Sequence, residues 1–113
     1  MLRGGEKVRY EMQGERLTAF VSGEIDHHSA VLVRSDIDEK ILIERPKTIA
    51  LELSSVDFMD SSGLGLIMGR YNRITELGGA LKIGNPSKNA ERMLKMSGAD
   101  KMIQIIYTEE GTE

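Results

Sequence analysis

The sequence predicts an α/β fold in which helices pack against one mixed β-sheet. Two kinds of hydrophobic periodicity carry this prediction. Stretches with an apolar residue at every second position are typical of strands, and they alternate with stretches in which apolar residues recur every three or four positions, as in helices. The predicted order is strand, strand, helix, strand, helix, strand, helix, strand. A strand-helix-strand unit joins parallel neighbours and a tight hairpin joins antiparallel ones, so the sheet is expected to be mixed.

Composition limits the classes of protein that the chain can belong to. Hydrophobic residues make up 40% and charged residues 29% of 113 residues, as in globular proteins, and one domain spanning 1–113 is expected. The absence of cysteine excludes disulfides and thiolate sites. The formal net charge of -3, with lysines and arginines scattered along the chain, disfavours nucleic-acid binding, which requires a basic stripe.

No stretch has the ~18 apolar residues of a membrane-spanning helix. Residues 1–10 also lack the apolar run of a secretory signal. The protein is therefore expected in the cytoplasm, without contact to a membrane.

The first two strands are predicted to form a hairpin around Gly14, because period-two patterns flank this glycine. The alternating apolar residues are Val8, Tyr10 and Met12 before the turn and Leu17, Ala19 and Val21 after it. The second of these strands is expected to end near Gly23.

The first helix is predicted to begin after Asp26, a suitable N-cap, and to end before or at Pro46, which cannot continue a helical backbone. Its apolar stripe, at steps of three and four, consists of Ala30, Val33, Ile37 and Ile41.

The third strand and the second helix follow. The alternating residues of the strand are Ile49, Leu51 and Leu53, continued by Val56 and Phe58, and the stripe of the helix is Leu64, Ile67, Tyr71 and Ile74. Gly78 and Gly79 are suited to a left-handed cap at the end of this helix.

A short strand, a helix and a last strand complete the pattern. The strand contains Leu81 and Ile83, Ser87 is the expected cap of the third helix, and that helix stops at Gly98. The last strand is expected near 103–107, and residues 108–113 are expected to be a frayed tail. The seven methionines, among them Met59, Met68, Met93 and Met96, are expected to pack in the core.

The segment Met59 to Gly65, MDSSGLG, lies between the third strand and the second helix. A helix N-terminus leaves backbone N–H groups free and favours negative charge, so this turn suits an oxyanion or a phosphate. Ser61 and Ser62 fall where a side-chain oxygen can cap the helix. Gly63 and Gly65 are expected to let the backbone turn and another molecule approach. The residues alone fit equally an ordinary N-cap at the aspartate or at one serine.

Catalytic, cofactor and metal sites are not predicted. The sequence has no G-x-S-x-G elbow and no G-x-x-x-x-G-K loop. His27 and His28 are the only histidines and are more simply explained as solvated residues. Asp26, Asp57 and Asp60 do not have a recognisable metal-ligand spacing. Because the loops after parallel strands meet at one sheet edge, Asp26 and Ser61 are instead expected to share a surface patch.

Three stretches resemble the STAS-domain anti-sigma-factor antagonists, and among them the sporulation branch. They are GEIDHHSA at 23–30, FMDSSGLGLIMGRYN at 58–72 and KMSGADKMI at 95–103. The resemblance implies a STAS-like fold, in which an opening hairpin precedes strand-helix-strand units. It also implies a regulator that is not an enzyme and that needs no cofactor.

The same resemblance implies a phosphorylation switch at Ser61. The implied partners are an anti-sigma factor that is also an ATP- or ADP-bound serine kinase, and a serine phosphatase. The unphosphorylated protein would bind the anti-sigma factor and free a sigma factor, whereas the phosphorylated protein would not. The implied partner-binding residues are Asp26, Asp60, Ser61, Ser62, Gly63, Leu64 and Gly65. A STAS scaffold subunit of a stress-sensing or transport assembly is the alternative.

Overall fold

The computed structural model describes residues 7–108, and no helix within this range is long and apolar enough to cross a membrane. The elements are β1 (Val8–Gln13), β2 (Arg16–Ile25), α1 (His27–Glu44), β3 (Thr48–Met59), α2 (Ser61–Glu76), β4 (Ala80–Gly84), α3 (Lys88–Ser97), a 3-10 turn (Ala99–Lys101) and β5 (Gln104–Ile106). This order confirms the predicted α/β class.

The five strands form one mixed sheet in the order β1-β2-β3-β4-β5. β1 and β2 are the antiparallel hairpin, and the other neighbours are parallel, as predicted. β2 does not end near Gly23, as expected, but continues to Ile25. Gly23 adopts a φ of 83°, and the pairing of β2 with β3 shifts register beside it. A left-handed glycine thus forms an irregularity within the strand instead of ending it.

The prediction for the inward face of α1 is confirmed, since Ala30, Val33, Ile37 and Ile41 are all buried. The prediction for α2 is partly wrong. Its buried side chains are Leu66, Ile67, Arg70 and Ile74, while Leu64 and Tyr71 are only half-buried.

The burial of Arg70 has its cause in the packing of α2 against α1. Its Nε lies 3.1 Å from Asp38 Oδ1 of α1, an ion pair without the alignment of a good hydrogen bond. A long cationic side chain can be buried when a carboxylate faces it.

The predicted inward face of β3 is correct from Ile49 to Val56 and wrong at its end. Phe58 is 46% exposed, whereas Met59 is buried. The register irregularities of β2 and β3 reverse the alternation before the strand ends. Met59 packs in the core as expected, but Met96 is 76% exposed, so the prediction that it packs is wrong.

Several helix ends follow the expected capping chemistry. Asp26 and Ser87 are N-caps, and Gly78 and Gly98 are left-handed. Gly79 is not left-handed; a Cβ there would lie 2.7 Å from the Lys47 carbonyl oxygen, so close packing requires this glycine.

Thr108 ends the described range and forms two hydrogen bonds with Asn85, of 2.7 and 2.9 Å. The rest of the predicted frayed tail, 109–113, lies outside the described residues. Residues 1–6, which belong to the N-terminal stretch without the apolar run of a secretory signal, also lie outside them.

Candidate functional site

Two aspartates occupy equivalent positions at the carboxyl edge of the sheet. Ile25 of β2 and Met59 of β3 are paired in register, and the next residue of each chain segment is a helix N-cap, Asp26 or Asp60. The Asp60 N–H donates to the Ile25 carbonyl oxygen over 3.3 Å, which joins the two loops. The structure therefore brings Asp26 to the same edge as Ser61, the residue after Asp60.

Asp26 caps α1 through a reciprocal pair of hydrogen bonds with Ser29. The Ser29 N–H donates to Asp26 Oδ1 over 3.0 Å, and the Asp26 N–H donates to Ser29 Oγ over 2.9 Å. The backbone hydrogen bond from Ser29, followed by the one from its hydroxyl, lowers the pKa of the Asp26 carboxyl below its usual value of 3.8. Asp26 is thus both a structural cap and an exposed negative charge.

Replacing Asp26 by Asn is expected to flatten the acid dependence of stability. Because the folded-state pKa of Asp26 lies below the unfolded one, its ionic contribution is complete above about pH 4 and is lost as the pH falls through the lower folded value. Asn keeps a capping oxygen but cannot titrate. Urea unfolding between pH 6 and pH 3 measures the effect.

The matched control is Asp57→Asn, which removes an exposed carboxyl of β3 without removing a cap. Equal slopes of unfolding free energy against pH for the wild type and for Asp26→Asn would contradict the assignment.

Asp60, and neither serine, caps α2. The Ser62 N–H donates to Asp60 Oδ1 over 2.8 Å, and Ser61 and Ser62 are the first two helical residues. The predicted capping role of the serines is therefore wrong, and the alternative of a cap at the aspartate is correct. Ser61 is exposed, and within residues 7–108 its hydroxyl has no hydrogen-bond partner.

The two serines line different grooves. Ser61 lines the α3 groove, whose other lining residues are Phe58, Met59, Asp60, Asn89, Arg92, Met93 and Met96. Ser62 lines the α1 groove, which is formed with His27, Val31, Arg34 and Gly65. Two adjacent hydroxyls are therefore presented to different surroundings, and a partner or an enzyme can distinguish them.

Gly63 and Gly65 have different roles, and neither forms a turn, because both lie inside α2. Gly63 is buried, and a Cβ there would lie 2.3 Å from Met59 Cγ and 3.1 Å from Ile25 Cγ2. The expectation that Gly63 lets another molecule approach is wrong, since this position is filled by the core. Gly65 is exposed and a Cβ there would meet nothing within 4 Å. Leu64 between them is half-buried and packs against the core.

The arrangement lacks the parts of a catalytic centre within the described range. His27 and His28 are exposed on the first turn of α1, and no group of three or more histidine and acidic side chains in residues 7–108 could hold a metal ion. The site offers a free hydroxyl at the positive end of a helix dipole, beside two carboxylates.

Sequence reasoning missed the α3 side of the site. Phe58, Arg92 and Met96 lie beside Ser61 although Arg92 and Met96 come from a helix about 30 positions later in the chain. The only signal was compositional, a methionine among the polar residues of α3.

The chain is similar to known proteins over most of its length. The family model for the STAS domain matches residues 8–112. An anti-sigma F factor antagonist of Paenibacillus polymyxa is 39% identical over 104 residues, which cover 90% of this chain and 89% of the relative.

Two solved structures of SpoIIAA share the fold. The anti-sigma factor antagonist SpoIIAA in its unphosphorylated form gives a TM-score of 0.76 at 29% identity, covering 93% of this chain and 92% of the other. The Bacillus cell fate determinant SpoIIAA in its phosphorylated form gives a TM-score of 0.70 at 29% identity, covering 93% and 96%.

Proposed function

Because this chain belongs to the STAS-domain family of anti-sigma-factor antagonists, we propose that it binds an anti-sigma factor directly and is released from it by phosphorylation of Ser61. The unphosphorylated protein occupies the anti-sigma factor, so the sigma factor is free. After phosphorylation the anti-sigma factor recaptures the sigma factor.

The observation that carries the proposal is the free hydroxyl of Ser61. Asp60 holds the helix cap, so a phosphate can be added to Ser61 without breaking the capping hydrogen bond. The first turn of a helix also stabilises negative charge, which lets the fold accommodate the phosphate. A phosphorylated form of SpoIIAA with a similar fold is consistent with this.

The proposed partner surface is the exposed edge around Ser61. It contains Asp26, Asp60, Ser61, Ser62, Leu64 and Gly65, with Gly63 packed beneath it. A phosphoserine carries about -1.5 to -2 charges, and here it joins two carboxylates on a surface that the partner must desolvate. The switch therefore acts on the interface and leaves the core intact.

In the proposed cycle, the enzymatic activities belong to the proteins that act on this chain. The anti-sigma factor is also the serine kinase, with ATP or ADP bound, and a separate serine phosphatase restores the free hydroxyl. The chain itself is a regulator and a substrate, which acts in the cytoplasm together with the sigma factor.

Phosphate mapping tests the proposal. The protein is incubated with the anti-sigma kinase and ATP and is then digested and analysed by mass spectrometry, with Ser61→Ala and Ser62→Ala in parallel. A single phosphate on Ser61 is expected in the wild type and in Ser62→Ala, and none in Ser61→Ala. Phosphate on Ser62, on another residue or on none contradicts the proposal.

A further inference from the structure

We propose that Arg92 of α3 binds the phosphate carried by Ser61, inside the α3 groove. This inference rests on the proposed phosphorylation of Ser61 and adds the residue that binds the phosphate once Ser61 carries it. The ligand is a phosphoserine of the same chain, held by a guanidinium group and a neighbouring amide.

Ser61 and Arg92 line the same groove, the first from the N-terminus of α2 and the second from α3. The α3 groove has a volume of about 420 Å³, which is ample for a phosphate, and Ser61 and Arg92 both line it. Arg92 is the one cationic side chain among the described residues that line this groove. Arg92 is exposed, so its long side chain is not fixed by packing in the core.

Arg92 is also free to make a new ion pair. Within residues 7–108 it has no carboxylate within 4.0 Å, whereas Lys95, on the next turn of α3, already lies 3.8 Å from Glu91. An exposed arginine that lacks a partner loses no existing contact when it binds a phosphate.

The chemistry of the groove favours a phosphate over other groups. A guanidinium group can donate two parallel hydrogen bonds to phosphate oxygens. Asn89 precedes Arg92 by three residues, so it lies on the same face of α3, and its side-chain amide adds a further donor. Phe58 and Met96 form apolar parts of the wall and remain exposed to solvent, so Arg92 and Asn89 are the groups there that can donate hydrogen bonds to a phosphate.

For regulation, the consequence is that the phosphate on Ser61 lies on the α3 side of the serine. Asp60 lines the α3 groove itself and repels the phosphate, as does Asp26 at the same sheet edge, so Arg92 is the side chain that attracts the phosphate away from these carboxylates and towards α3. Phosphorylation then closes the α3 groove as well as adding charge to the partner surface.

The test is a phosphorus NMR titration of protein that carries phosphoserine at position 61, incorporated during translation so that no kinase is needed. A nearby cation stabilises the dianion and lowers the second pKa of the phosphate, which is ordinarily near 6. Arg92→Gln is therefore expected to raise the titration midpoint by about half a pH unit, the size of a partly exposed ion pair. Lys88→Gln removes the same charge from the same helix outside the groove, and it is expected to leave the midpoint unchanged.

Equal midpoints for the wild type and Arg92→Gln overturn the inference, and so does an equal rise in Lys88→Gln. Arg92→Lys keeps the charge and loses the forked geometry, so it should lie between the wild type and Arg92→Gln; amide spectra verify that each variant is folded. Since the phosphoserine is installed without a kinase, a kinase that labels another residue contradicts the proposed function and leaves this titration unaffected.

Discussion

A phosphate on Ser61 is expected to lower the affinity for the anti-sigma factor by about two to three orders of magnitude. The cost arises because an exposed hydroxyl is replaced by a group with about two negative charges, which the partner must desolvate beside Asp26 and Asp60. A penalty of roughly 3 to 4 kcal/mol at the interface corresponds to this loss of affinity. We expect a change of this size to shift the anti-sigma factor away from the phosphorylated protein and towards the sigma factor.

Calorimetric titration of the anti-sigma factor with both forms measures the difference. Ser61→Asp carries one charge and should give a smaller loss in the same direction, while Ser55→Asp adds the same charge at an exposed position of β3 six residues earlier and should bind as the wild type does. Circular dichroism of each variant verifies the fold. An unchanged affinity of the phosphorylated protein would remove the basis of the electrostatic switch.

The fold was predictable where periodicity alone determines burial. α1 shows this well: its four predicted inward residues are all apolar and all buried, so the apolar stripe alone identifies the inward face. α2 faces both the sheet and α1, and its buried Arg70 depends on Asp38 of α1. A charged arginine side chain is not expected to be buried unless a partner is known. The buried face of α2 could therefore not be predicted in full from the sequence of that helix alone.

The end of β3 shows a second limit. Phe58, which the strand alternation placed inside, is exposed, and the buried position falls to Met59 because the pairing of β2 with β3 is irregular near Gly23. A register shift is a property of two strands together, and a single-strand pattern does not contain it.

Some residues of the candidate site could likewise be predicted from the sequence, and others could not. Asp26 and Ser61 could be placed at one edge because parallel topology brings the carboxyl ends of neighbouring strands together. The contribution of α3 could not, since the packing of a helix that follows much later in the chain brings Arg92 and Met96 to Ser61. The cap at Asp60 was one of several equivalent choices until the hydrogen bond to Ser62 distinguished it.

The two glycines of MDSSGLG are expected to respond in opposite directions to the same substitution. Gly63→Ala is expected to destabilise the protein by about 1 to 2 kcal/mol, because the new methyl group would lie 2.3 Å from Met59 Cγ in a filled core, and overpacking costs more than the gain in helix propensity. Gly65→Ala places its methyl group in open space and should stabilise the helix by up to about 1 kcal/mol.

Urea unfolding of the two variants measures this contrast, with each variant acting as the control for the other. The gain in helix propensity is common to both, so the difference between their unfolding free energies, roughly 1 to 3 kcal/mol, isolates the contact of residue 63 with Met59 and Ile25. Equal stabilities would contradict the assignment, because they would mean that the core accepts an added methyl group at residue 63 without cost. A stable Gly65→Ala that binds the anti-sigma factor more weakly would locate the cost at the interface, because its fold is unimpaired.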